Sequence, residues 1–319
     1  MTATGAGDEL NLVQTDLVIG VDVGGTTLKA ALLDSEGREY LRSELPTPRH
    51  LGPEAVVAAT IDMIGGLRAQ LPPTARLCGV GLVVPGVVNA QQGIARYSAN
   101  IGWRELPLRK IVQEAVGLPV VIDHDVRAAG LAELELGAAR GFQEVLFVAL
   151  GTGVAAAVIT NGGVLVGATG RAGELGHLPV FPDGEWCACG QRGCTETYAS
   201  AAAVSRRYSA GTGISVSAAD VISRAGAGDP VARRVLNDAI TALSRALVNY
   251  VLLMDPELIL IGGGMAASGE ALLDPLMREV QAGLAWRSAP KIANGQFAGD
   301  AGRKGAGLVV WRAVKETRL

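Results

Sequence analysis

In HLPVFPDGEWCACGQRGC, His177, Cys187, Cys189 and Cys194 bring together one imidazole and three thiols. That donor set suits tetrahedral Zn²⁺, and the Cys-x-Cys-x₄-Cys spacing lets three thiolates curl around one ion in a glycine-containing loop. A disulfide plus a stray thiol is the alternative reading, but it leaves the imidazole idle. No ligand position is left open, so the metal is expected to shape the loop and not to perform hydrolysis. Cys78, alone in an apolar run, reads as a small core residue.

A second constellation lies in PVVIDHDVRAAGLAELE, residues 119–135. The run Val120 to Ile122 predicts a strand that stops at Asp123, and the Ala/Leu/Glu-rich segment predicts a helix that starts near Asp125. Carboxylates at such a junction can cap the helix by accepting from its first free N–H groups. They can also supply a base at the carboxyl end of a strand, where open α/β sheets bind their ligands. On these residues alone the cap is favoured.

Three glycine turns complete the set. VDVGGTTLKAAL contains Asp22, Gly24, Gly25, Thr26, Thr27 and Lys29, and its turn presents N–H groups and hydroxyls to an anion. Asp22 stands where Mg²⁺ on a phosphate chain could be held directly or through water. VALGTGVAAAV carries Gly151, Thr152 and Gly153, so a second turn could close on the same phosphates. IGGGM, with Gly262, Gly263 and Gly264, permits close approach by a flat group such as adenine, or is a ligand-free strand-to-helix turn; both readings stay open.

The elements that must position these residues alternate. Residues 17–33 predict strand, turn and strand, Glu39 to Glu44 a third strand, 53–71 a helix and 77–86 a buried strand ended by Pro-Gly. A helix over 107–117 stops at Gly117. The theme restarts at 144–160, with Asn161-Gly162-Gly163 as a tight hairpin turn. Residues 209–217 read as a loop by composition, Ser217 caps a helix over 218–226, and Asp229-Pro230 begins a long helix to about Met254. A strand through ELILIGGGM, a helix near 270–285 and a last helical segment over 305–315 follow. This pattern predicts a mixed sheet with covering helices, stated twice.

At 319 residues the chain is long enough for two domains. Net charge is −3 with no long basic run, which points away from nucleic acid and anionic membranes. Residues 1–16 are polar without an apolar leader, and no apolar stretch is long enough to span a bilayer, so a cytoplasmic location is expected. Only 4% of residues are aromatic, so the core must be built from Val, Leu, Ile and Ala.

In this order DVGGTTLKA, VPGVV, SANIGW, the DHD junction, LGTG, AGELGH, C-x-C-G-x₂-G-C-x-E and IGGG resemble the ROK family of repressors, open reading frames and kinases. The resemblance spans residues 18 to about 310. It implies a two-domain actin-like ATPase (ribonuclease H-like) α/β fold with a cleft between domains. The small domain would be 1–126 plus 303–319, and the larger one 127–302. It implies ATP-dependent phosphorylation of a sugar hydroxyl, usually at C6, of glucose, N-acetylglucosamine or a related hexose, with Mg²⁺ on the phosphates and structural zinc. Asp125 would be the general base, so the junction's carboxylate tips from cap to base. Asn100, Glu174, His177 and Glu196 would hydrogen-bond the sugar, Gly86 would lend backbone contact, and His177 would face zinc with one nitrogen and the sugar with the other. A homodimer is expected on the same ground.

Three departures from the family pattern stand out. Asp123-His124-Asp125-Val126-Arg127 replaces the usual Glu-Asn-Asp-Ala-Asn. His124 is larger than the asparagine that would touch the sugar, and bears on selectivity near C3–C4. Arg127 adds a cation that either depresses the Asp125 pKa or faces elsewhere. Alanines at 155–157 stand where glycines are usual and bear on the approach to phosphate. Two rival readings are a transcriptional repressor, which carries an added helix-turn-helix domain that the short leader does not supply, and a non-catalytic sugar sensor.

Overall fold

The computed structural model describes residues 15–317; most of the polar opening stretch, through residue 14, lies outside them, as do residues 318 and 319. Two five-stranded sheets share one wiring. The first contains β1 (Thr15–Val23), β2 (Thr27–Leu33), β3 (Glu39–Pro46), β4 (Ala75–Val84) and, after a small sheet of β5 (Val87–Asn89), β6 (Ile94–Ser98) and β7 (Trp103–Leu106), β8 (Val120–His124). Its order is β3-β2-β1-β4-β8. The second has β9 (Val145–Leu150), β10 (Val154–Thr160), β11 (Gly163–Val164), β12 (Leu258–Gly262) and β13 (Lys291–Asn294), in the order β11-β10-β9-β12-β13. In each sheet the lead strand pairs antiparallel with the strand after its glycine turn and parallel with the strand on its other side. This duplicated mixed sheet is the actin-like ATPase architecture, and the repeated strand–turn–strand signal is its cause.

Helices cover the sheets: α1 (Pro53–Ala69), α2 (Leu108–Val116), α3 (Asp125–Glu135), the single turn α4 (Glu196–Ala199), α5 (Ala201–Thr212), α6 (Ala218–Gly226), α7 (Pro230–Met254), α8 (Glu270–Ala282) and α9 (Ala301–Thr317). Ser217 caps α6 in a reciprocal capping box with Asp220, and Asp229 caps α7 by accepting from Val231 and Ala232. The apolar stripe of α7, through Val235, Ala239, Leu243, Ala246 and Leu247, is buried on the second sheet's core. Each such side chain contributes about 1.5–3 kcal/mol on leaving water where it is as large as Val or Leu. Among the described residues no helix is long and apolar enough to cross a membrane.

Two local expectations need correction. Residues 209–212 are helical, not loop. Ser200 starts α5 by accepting from Ala203, Tyr208 is buried, and Gly213 ends the helix in the left-handed region, so tertiary anchoring overrides a loop-like composition. The last helix begins at Ala301, earlier than its apolar pattern suggests. The three-stranded sheet of β5–β7 is legible only as the short motifs it carries.

The segments that join the two sheets run through α3 and α9, which pack on each other, and α9 also lies on β1 and β4. In α3 every side chain from Arg127 to Glu133 is buried. Glu133 is wholly enclosed, and accepts from the backbone N–H groups of Ala138, Gln296 and Phe297. One carboxylate thus ties α3 to the loop that leads into α9.

Candidate active site

Asp22, next to last in β1, stands opposite Lys29 of β2, across the Gly24-Gly25 turn. Thr47, which follows β3, buttresses the turn: its hydroxyl donates to the Gly24 carbonyl at 2.6 Å and its N–H to the Thr26 carbonyl at 2.9 Å. The Thr26 side chain is left exposed. Lys29 donates to the Gly299 carbonyl at 2.9 Å and lies 3.9 Å from Asp300, so its charge is drawn toward the start of α9. The Asp22 carboxyl is pushed up to about 7, first by burial and then by the Asp125 carboxylate, against the pull of Lys29 and Arg303.

Asp125 is the first residue of α3, and the capping position belongs to His124, whose side chain makes no capping bond. The cap reading of Asp125 is corrected accordingly: its Oδ1 accepts from the adjacent Val126 N–H, at 2.7 Å, and not from a later N–H of the first turn. His124 Nδ1 sits 3.3 Å from Asp125 Oδ1 without hydrogen-bond alignment, and is a buried nitrogen with no hydrogen-bond partner among the described residues. Arg127 turns to Asp123 instead of Asp125, with Nε and Nη2 at 3.1 and 2.6 Å from Asp123 Oδ1.

Asn100 lies exposed in the loop between β6 and β7, and a β-carbon on Gly25 would meet its own at 3.1 Å. The Gly24-Gly25 turn and Asn100 are therefore in contact. Gly86 has φ +96°, and a β-carbon there would lie 2.2 Å from the Tyr97 carbonyl oxygen. It must be glycine for β6 to lie where it presents Asn100.

In the second half, AGELGH is pressed onto β10. Gly173, at φ +95°, and Gly176 bring their α-carbons so near the Ala156 and Val154 carbonyls that a β-carbon would fall 1.9 and 2.0 Å from the oxygens. A short 3₁₀ turn over Leu175–His177 follows. His177 points Nδ1 at Cys187 Sγ, 3.6 Å away, and Nε2 toward Glu174 Oε2 at 3.9 Å. Glu196, two residues past Cys194, reaches back to the Gly151-Thr152-Gly153 turn, where its Oε2 accepts from the Val154 N–H at 2.8 Å. Thr152 itself is exposed.

The four ligand atoms of His177, Cys187, Cys189 and Cys194 lie within 4.8 Å of one another, and all three cysteines are free thiols. Cys189 and Cys194 sulfurs stand 3.6 Å apart, far beyond a disulfide bond and near the ~3.8 Å edge of a tetrahedron with 2.3 Å zinc–sulfur bonds. Burial pushes the Cys194 thiol up to about 12 and raises Cys187 also. Burial acts on Cys189 in the same sense, but hydrogen bonds from the Gln191 N–H and the neighbouring thiols outweigh it and lower its pKa. Such a crowd of sulfurs resists multiple negative charges without a cation among them. The cluster is compatible with structural zinc.

The remaining glycines divide by role. Gly262 makes room for the Phe147 ring, and Gly263, at φ +81°, lies against the Leu150 carbonyl beside the Gly151 turn. Gly264 has nothing near its missing β-carbon and faces open space. Ala156 and Ala157 are buried within β10, so these two alanines serve strand packing and do not line a phosphate approach.

Sequence reasoning missed Thr47, Asp123 as the partner of Arg127, and Glu133. Each acts through a partner distant in the chain or through a backbone group, which no local motif records.

The sequence profile of the ROK family matches residues 18–312. A glucokinase of Halalkalibacterium halodurans is 35% identical over 92% of this chain and 94% of its own. Among solved structures, the ROK family glucokinase from Streptomyces griseus in complex with glucose and AMPPNP superposes with a TM-score of 0.81 at 32% identity, covering 91% of this chain and 98% of that one. The ROK hexokinase from Thermus thermophilus gives 0.79 at 34% identity, covering 94% and 99%. Duplicated sheets, paired glycine turns, the AGELGH segment and the thiol cluster occur in one chain that follows that pattern over residues 18–312: it belongs to the ROK family.

Proposed function

We propose that this sugar kinase transfers the γ-phosphoryl group of ATP to the C6 hydroxyl of a hexose or N-acetylhexosamine, with glucose the first candidate. The observation that carries the reading is the contact between phosphate-side and sugar-side groups: Gly25 lies against Asn100, and Asp125 is near enough to raise the Asp22 pKa. Phosphoryl transfer needs mainly positioning and charge stabilisation, with a carboxylate to orient the attacking hydroxyl. In this reading Asp125 takes the hydroxyl proton. Asp22 and the turns at Gly24 to Thr27 and Gly151 to Gly153 hold Mg²⁺-bound phosphates, with Lys29 nearby, and Gly262 to Gly264 admit the nucleoside. Asn100, His124, Glu174, His177 and Glu196 hold the sugar, with Gly86 shaping its floor. The halves 1–126 with 303–319, and 127–302, are the two lobes of the cleft.

His177 Nδ1 and the thiolates of Cys187, Cys189 and Cys194 would hold zinc, which would supply no chemistry to the sugar. The His177 ring held in this way would keep Nε2 free for a sugar hydroxyl, and the loop would anchor the segment from which Glu196 projects.

The test is ADP release with glucose, N-acetylglucosamine, N-acetylmannosamine, mannose and fructose in turn, repeated with Asp125→Asn. At least one sugar is expected to drive ADP release, and the variant to lose roughly 10²–10⁴-fold in kcat with an unchanged melting temperature. ADP release indifferent to every sugar, or near-normal turnover in Asp125→Asn, overturns the reading.

A further inference from the structure

Arg127 is buried to all but 4% of its side chain, yet it is bonded to two segments far apart in the chain. Nε and Nη2 grip Asp123 Oδ1 at the end of β8, in the first sheet's half. Nη1 donates at 2.9 Å to the carbonyl of Gly170, in the strap that leaves β11 and runs into Gly173, Glu174 and His177. Gly170, at φ +76°, also lies against the first half, since a β-carbon there would stand 3.2 Å from the Val88 carbonyl oxygen. Elsewhere the strap and the β5–β6 hairpin stand apart, walling a cleft of about 760 Å³ between residues 87–91 with Arg96 on one side and 166–171 on the other. Within that opening the guanidinium is the charged link between the halves.

The strap has little freedom beyond this point. Gly173 and Gly176 are pressed onto β10, and His177 is turned toward the thiol cluster. Holding Gly170 therefore fixes the near end of a short segment whose far end is already fixed, and Glu174 lies between. We propose that Arg127 is a positioning residue for sugar recognition: by joining Asp123 to the Gly170 carbonyl it latches the strap to the first half and so sets Glu174 and His177 over the sugar. The inference rests on the sugar-kinase reading. A planar guanidinium with donors on three nitrogens can serve a carboxylate and a carbonyl at once, whereas an ammonium on a shorter reach cannot keep both geometries.

The test combines steady-state kinetics with calorimetric binding of the preferred sugar in the absence of ATP, on Arg127→Ala, Arg127→Lys and the double variant Asp123→Asn/Arg127→Gln. The double variant leaves no buried charge without a partner, and carries the test if the single ones fail to fold. The latch predicts that Arg127→Ala and the double variant raise the sugar KM and Kd by about tenfold or more, the order expected for losing a hydrogen bond to a charged group. Arg127→Lys should fall between them and the parent, and the ATP KM should stay within about twofold throughout. A purely structural role would move both substrates together, and a sugar Kd within about twofold of the parent also overturns the latch. Failure of the parent protein to phosphorylate any sugar would sink the kinase reading alone, because calorimetry still reads the latch on whatever sugar binds.

Discussion

Asp22 and Asp125 are two carboxyls in one small space with two lysine or arginine charges close by, and their environments are unequal. Burial and the neighbouring Asp125 charge push Asp22 up to about 7, so near neutrality it is half protonated in the folded chain. A raised folded pKa means that the folded state holds this proton more tightly than the unfolded state does. The associated stability is intact below about pH 4, declines as pH rises, and is gone above about pH 7. Asp22→Asn removes the titration, so its melting temperature is expected to exceed the parent's at pH 8 and to converge with it near pH 4. Urea or thermal melts across that range check the sign. A gain that is constant with pH would mean that Asp22 is not the group responsible. A divalent cation held beside these carboxyls would favour the doubly ionised pair that the protein alone resists.

At the scale of elements, the zinc-compatible loop and the strap behave as one unit. Cys194 is buried, Pro179 and Cys194 form a bridge pair, and Glu196 reaches the turn at Gly153 from the residue but one beyond Cys194. Removing zinc with a chelator is therefore expected to weaken sugar binding more than nucleotide binding, measured by calorimetry on each ligand separately. Equal losses would count against His177 as the link. This unit was legible in the sequence because its chemistry is local: one histidine, three cysteines and the AGELGH glycines lie within a short stretch. The glycine turns were legible for the same reason, and the long α7 stripe because its period is strong. What could not be read depends on partners distant in the chain. Ser200 and Tyr208 extend α5 into a segment that looks like loop, Thr47 props a turn from another strand, and Glu133 gathers N–H groups from both ends of the crossing. Arg127 could be seen as an unusual cation beside Asp125, but its turn toward Asp123 is fixed only once Gly170 arrives from β11.

Across the whole molecule, the reaction proposed above would draw complementary parts from the two halves. Asp22, Asn100 and Asp125 belong to elements of the first sheet's half, while Glu174, His177, Glu196 and the turn at Gly151 belong to the second. Among the described residues, the connections between halves include α3 against α9, the Lys29 bond to the Gly299 carbonyl, and the Arg127 contact with Gly170. Helices packed this closely move as bodies, so relative motion falls to the short segments at the ends of α3 and α9. A sugar that hydrogen-bonds Asn100 on one side and Glu174 on the other binds the narrowed cleft more tightly than the open one, and shifts the population toward it. Closure also keeps water from competing for the phosphoryl group. Sugar is therefore expected to lower the radius of gyration measured by small-angle scattering, at a protein concentration where the state of assembly is constant. Asp125→Asn should contract likewise, because losing the base does not remove the other sugar contacts. Scattering profiles unchanged by saturating sugar, with binding verified in the same sample, would mean that the cleft is preformed and that selectivity resides in its walls alone.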